Sequence, residues 1–129
     1  MRALAAVAVV AAVAVGLARA STGASLTVVY WPDGRTGDGA SRWTLRCAPA
    51  GGTHPSPAAA CRKLAALGDA AFRPVPGDAV CTQVFGGPQQ ALVAGTYRGR
   101  RIWTRFNRKN GCQISRWNRH VPVLPSGDA

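Results

Sequence analysis

The chain contains no glutamate, and its five acidic residues are all aspartates, set far apart at Asp33, Asp38, Asp69, Asp78 and Asp128. Without glutamate, carboxylates for general acid and base work are few. Histidine is as scarce: there are two, His54 and His120. His54 adjoins Pro55 in a Gly/Pro-rich stretch and reads as a loop residue rather than a ligand or base. No two of the four cysteines have C-x-x-C spacing, which leaves a zinc site without its ligand pattern. With the cysteines also expected to be oxidised, a catalytic set is hard to assemble. The expectation is a protein that is not an enzyme and carries neither cofactor nor metal. Nor is there a long apolar run. The stretch Ala3 to Leu17 is uncharged, but it falls short of the ~20 residues a membrane-spanning helix needs.

That short run has another reading. Met1-Arg2 precedes it and Ala18-Arg19-Ala20 follows it, a small-x-small pattern of the kind a signal peptidase cuts. Residues 1–20 are thus expected to be an export signal, leaving 21–129 as a single secreted domain without a membrane partner. A domain of that size has a modest core and benefits from crosslinks. In an exported chain, Cys47, Cys61, Cys81 and Cys112 read as two disulfides, and arithmetic allows three pairings. We adopt the sequential one, Cys47 to Cys61 and Cys81 to Cys112.

Charge is one-sided: the formal net charge is +11 at pH 7. Eight basic side chains lie between Arg98 and Arg119, a stretch with no acid. Such a stripe is either a solvated face or a surface for polyanions. A secreted basic module that binds polyanions or cell-surface polymers is the alternative reading of the whole chain.

Local pattern gives the elements. Ser25 to Trp31 is β-branched and aromatic and ends in the turn residues Pro32-Asp33-Gly34, so it reads as a strand. Arg42 to Ala48 alternates, with Trp43, Leu45 and Cys47 on one face. Ser56 and Pro57 open a helix as N-cap and first helical residue; Ala60, Cys61, Leu64 and Leu67 form its apolar stripe, and Gly68 ends it. Cys61 then faces inward, where it can meet Cys47. Pro74 and Pro76 keep the following segment extended. Gln90 to Tyr97 and Arg100 to Arg108 are strand-like and joined by Arg98-Gly99, a hairpin. Ile102, Thr104 and Phe106 face one way, Arg101, Trp103 and Arg105 the other. Gln113 to His120 is expected to be a short helix and Val121 to Leu124 a last edge strand, limited by Pro122.

Between the prolines and the hairpin lies Cys81-Thr82-Gln83-Val84-Phe85-Gly86-Gly87-Pro88. A short extended stretch, crosslinked at one end and stiffened by proline at the other, has already lost its entropy. It can lie in a protease's active site and leave slowly, whether or not it is cut.

These residues resemble the Streptomyces subtilisin inhibitor family of secreted serine protease inhibitors. The resemblance spans about Trp43 to Leu124. It is carried by Trp43-Thr44-Leu45-Arg46-Cys47-Ala48-Pro49, Gly52-Thr53-His54-Pro55, Cys81-Thr82-Gln83-Val84-Phe85, Gly95-Thr96-Tyr97-Arg98-Gly99 and Asn110-Gly111-Cys112, with all four cysteines in order. It implies an α+β fold: a five-stranded antiparallel sheet with two helices packed on one face, two disulfides paired as above, and commonly a homodimer through the sheet. It also implies that the bond between the second and third residues after the third cysteine is the one offered to the protease. Here that is Gln83-Val84, with Gln83 entering the primary specificity pocket. Val80, Cys81 and Thr82 would contact the enzyme before it, and Phe85 and Gly86 after it. Gln83 is neither basic nor large and apolar, which favours subtilisin-like enzymes with tolerant pockets over trypsin-like ones. Gly86-Gly87 predicts a leaving side looser than an ideal clamp. The expected partner is an extracellular serine protease, with nucleic acid disfavoured and a homodimer possible.

Overall fold

The computed structural model describes residues 6–9, 23–37 and 39–127. All but 6–9 of the expected export signal lies outside them. No helix among the described residues is long and apolar enough to cross a membrane.

Four antiparallel strands form one sheet in the order β2-β1-β3-β4, where β1 is Ala24–Trp31, β2 Ser41–Cys47, β3 Gln90–Tyr97 and β4 Arg100–Phe106. The register places Val28 between Trp43 and Val93, and Leu26 between Leu45 and Gly95. Because strand side chains alternate, one face therefore collects Ala24, Leu26, Val28, Leu45, Val93 and Phe106, all buried. Helices α1, Pro57–Leu67, and α2, Gly111–Arg119, lie over that face: Ala60, Leu64 and Trp117 join the same core. By area, burying a side chain such as Leu45 or Leu64 contributes roughly 2 kcal/mol.

The opposite face carries no helix. Its corners are Arg42, Arg46, Arg101 and Arg105, all exposed, around Val29, Leu92 and the 62% exposed Trp103.

The β3–β4 hairpin turns on two residues with positive φ, Arg98 at 49° and Gly99 at 79°, the combination a tight primed turn requires. Helix α1 begins at Pro57 and is stopped at Gly68, as the sequence predicts. Ser56 occupies the N-cap position but its side chain makes no capping bond. Instead its N–H donates to Nδ1 of His54 at 3.0 Å, while Nε2 of His54 meets the Val123 carbonyl at 3.0 Å. His54 is therefore a buried structural tie between the α1 entry and the C-terminal segment.

Two expectations need correction. There are four strands among the described residues, not five. After α2 the chain continues in tight turns, with Val121 N–H donating to the Asn118 carbonyl (3.3 Å) and Leu124 N–H to that of His120 (3.1 Å). Pro122 has no N–H to offer a ladder, and the fully buried Val123 and Leu124 turn their side chains into the core. Burial of two large apolar groups outweighs whatever an edge ladder would contribute. Strand β4 also ends at Phe106 rather than Arg108, because Arg108 turns inward and is 8% exposed.

Candidate functional site

The segment from Pro74 to Pro88 has no regular secondary structure, and its apex projects from the molecule. Val80 is 99% exposed, Val84 59% and Phe85 66%. Thr82 and Gln83 are exposed too, whereas Cys81 and Gly86 are half-buried. Three apolar side chains are thus left in water within six residues of one loop. The Gln83 side chain folds back weakly, its Nε2 lying 3.4 Å from the Cys81 carbonyl. Nothing in that contact stops it from swinging outward.

Fixed points lie on both sides of this apex, and helix α2 supplies most of them. Asn110 is its N-cap: the side-chain oxygen accepts from the Gln113 N–H at 3.0 Å. This anchors the first turn, on which Cys112 is crosslinked to Cys81 with the Cα atoms 5.3 Å apart. One residue on, the Thr82 carbonyl accepts from the Gly111 N–H at 2.9 Å. A Cβ at position 111 would overlap the Thr82 hydroxyl, so glycine is what lets the loop come this close. The other pair, Cys47 and Cys61, joins β2 to α1.

On the far side of the apex, Gly86 is held. Its N–H donates to the Arg108 carbonyl at 2.8 Å and its carbonyl accepts from Arg108 Nε at 3.2 Å. It also rests on Ile114, whose Cδ1 would lie 2.6 Å from any Cβ placed at position 86. Gly86 is thus not the loose point that Gly86-Gly87 suggested, because glycine here permits close packing. Between the two anchorages only Gln83, Val84 and Phe85 are free of backbone partners within the loop.

The approach to the loop is fastened as well. Arg116 on α2, 3% exposed, donates to the carbonyls of Arg73 (2.7 Å), Phe72 (3.1 Å) and Arg105 (2.7 Å) and to the Thr104 hydroxyl (2.7 Å). No carboxylate accompanies it, and burial lowers its pKa, with nearby Arg119 adding to the effect. His120 is buried beside it. The Phe72 N–H donates to Nε2 (3.0 Å), leaving Nδ1 to donate to the Arg116 carbonyl (2.7 Å). Desolvation, above all, lowers the His120 pKa to about 4, so the ring is neutral at pH 7.

Arg108 and Arg116 were part of a basic stripe in the sequence, where nothing separated them from the exposed Arg101 and Arg105. The signal that the sequence reading passed over was Asn110, a residue type suited to an N-cap; with it α2 starts at Gly111, two residues before the expected Gln113. A cavity of about 490 Å³, lined among others by Tyr30, Trp43, His54, Pro55 and Leu124, includes no residue of the loop. Among the described residues no group of three or more His, Cys, Asp or Glu is placed to hold a metal ion.

Residues 20–110 match the subtilisin inhibitor-like family. Subtilisin inhibitor-like protein 5 of Streptomyces fradiae is 35% identical over 92 residues, covering 69% of this chain and 84% of that protein. The subtilisin inhibitor of Streptomyces violaceus is 45% identical over 65 residues, 47% of this chain and 44% of that one. Among solved structures, Streptomyces caespitosus sermetstatin in complex with Bacillus licheniformis subtilisin is 26% identical, with a TM-score of 0.49. The match covers 78% of this chain and 98% of that one.

Proposed function

Since the chain belongs to the subtilisin inhibitor-like family, we propose that it inhibits subtilisin-like serine proteases by presenting the Gln83–Val84 peptide bond as a substrate that is cut slowly and rejoined. The observation that carries this reading is the placement of three exposed residues between two anchored ones: Thr82 on Gly111, and Gly86 on Arg108. An enzyme cleft needs an accessible, extended segment of this kind, whose backbone it can pair as an added strand.

The chemistry follows from the tethers. The protease serine attacks the Gln83 carbonyl carbon, the carbonyl oxygen moves into the oxyanion hole, and the Val84 nitrogen leaves as an amine. In an ordinary substrate that amine diffuses away. Here Gln83 remains tied through Thr82 and the Cys81–Cys112 bond, and Val84 through Gly86, so the amine stays beside the acyl-enzyme. Its effective concentration favours re-formation of the amide over attack by water. Rigidity in the free state also removes part of the ordering cost of binding, which is how a short contact can be tight. Val80, Cys81 and Thr82 meet the enzyme on the acyl side, Phe85 and Gly86 on the leaving side. Residues 1–20 serve as the export signal, and 21–129 act outside the cell.

Gln83→Lys tests the site. If residue 83 fills the primary pocket, inhibition moves from subtilisin-like toward trypsin-like enzymes, measured as residual activity against both. An unchanged profile places the contact elsewhere.

A further inference from the structure

We propose that Arg108 is the positioning residue that keeps the leaving half of the loop in place after the Gln83–Val84 bond is cut, an inference that rests on that bond being the reactive one. Arg108 is a buried cation without a carboxylate: the one ion pair among the described residues is Arg98 with Asp69. Burying an unpaired guanidinium is costly, and neutral partners offset that cost. Nε donates to the Gly86 carbonyl (3.2 Å), Nη1 to Asn118 Oδ1 (3.0 Å), and the guanidinium carbon lies over the Trp117 ring at 5.8 Å. The same residue's carbonyl takes the Gly86 N–H at 2.8 Å. Both polar backbone groups of Gly86 are thus held by one residue. That residue is braced in turn by two side chains of α2, the helix that also carries Cys112.

The consequence can be stated as a tether length. After cleavage the new N-terminus, Val84, lies two residues from Gly86. Losing the Arg108 side chain removes the bond to the Gly86 carbonyl and the brace on the residue whose backbone carbonyl holds the Gly86 N–H; in the limit where Gly86 then comes free, the next sheet-bound residue is Gln90, where β3 begins, six residues from Val84. Chain-closure probability falls as the three-halves power of length, so the local concentration of the amine drops about fivefold. Arg108 contacts none of the reacting atoms.

The measurement is the ratio of cleaved to intact protein once a catalytic amount of subtilisin has brought it to a constant value, for the wild type, Arg108→Met, Arg108→Lys and Leu64→Ala. Arg108→Met is expected to shift the ratio toward cleaved, by up to about fivefold where the remaining backbone bond to Gly86 gives way as well. Arg108→Lys, which keeps the charge but not the fork, shifts it less. Leu64→Ala removes core packing far from the loop and should lower the melting temperature without moving the ratio. An Arg108→Met ratio equal to wild type, or an equal shift in Leu64→Ala, overturns the proposal. If Arg108→Met does not fold, Arg108→Lys decides, and a wild-type ratio there overturns it as well. Fragment masses showing a cut other than at Gln83–Val84 sink the underlying site assignment instead, and this inference with it.

Discussion

The two disulfides should differ in what they do, though they differ little in what they contribute to stability. Consider replacing each pair separately by alanine. Cys47 and Cys61 are 14 residues apart, Cys81 and Cys112 are 31. Loop-closure entropy then assigns about 3.0 kcal/mol to the first and about 3.7 kcal/mol to the second. At about 4 °C per kcal/mol for a domain of this size, melting temperatures should fall by roughly 12 and 15 °C. Function should separate them. Without Cys81–Cys112 the acyl half of the loop loses its nearest covalent anchor. The Thr82–Gly111 bond is then the only nearby hold; when it opens, the next firmly held point upstream is Arg73, whose carbonyl is bound by Arg116, and the tether behind Gln83 lengthens from two residues to ten. The same power law lowers the effective concentration for rejoining by about tenfold. Subtilisin incubated with the Cys81→Ala/Cys112→Ala protein should regain activity over hours as the inhibitor is consumed. The Cys47→Ala/Cys61→Ala protein, assayed below its melting point, should inhibit as the wild type does. Equal recovery with both variants would show that global stability, not local tethering, governs resistance. Recovery with neither would show that the backbone bonds suffice.

Three other outcomes follow from the same contacts. Gly111→Ala forces the Thr82 hydroxyl away and should weaken inhibition about fivefold, through a lost loop hydrogen bond, without lowering the melting temperature, since alanine suits a helix; equal inhibition would dismiss the Thr82–Gly111 contact. His120 has a folded pKa near 4, below its unfolded value, so the unfolded state binds more protons between about pH 6.5 and 4. Stability should be level above that window and fall by roughly 3 kcal/mol as pH drops through it; a His120 NMR titration centred near 6.5 would refute the assignment. Finally, a homodimer through the open sheet face would set Arg42, Arg46, Arg101 and Arg105 against the same four of a second copy. Its dissociation constant in sedimentation runs should therefore decrease as salt screens the repulsion, and the opposite trend would place any association on another surface.

Much of the scaffold was legible because local periodicity reports which side of an element faces inward. Alternation set Leu45 with Trp43 and Cys47 on one face of its strand and Phe106 with Ile102 and Thr104 on one face of another, Pro57 and Gly68 delimit α1 by their own backbone restrictions, and Arg98-Gly99 specifies the hairpin. The segment carrying Gln83 was found through resemblance, helped by its position between a cysteine and Pro88. Where pattern misled, long-range burial overruled a local preference. Val121 to Leu124 is a short apolar run that reads as an edge strand, but Val123 and Leu124 are buried in the core and gain more there than at a sheet edge.

The chain's own order of residues determined that there would be a half-buried sheet with a tight hairpin, a helix from Pro57 to Gly68 carrying Cys61, a second helix after Cys112, and a stretch from Cys81 to Pro88 without regular structure. Only the folded molecule decided which arginines are surface and which are struts. Arg105 and Arg108 are the same residue three positions apart, yet one faces water and the other grips Gly86. The difference lies in the acceptors. A guanidinium can be buried where carbonyls and amides from separate parts of the chain converge on it: Gly86 and Asn118 for Arg108; Phe72, Arg73, Thr104 and Arg105 for Arg116. No window of sequence contains that convergence.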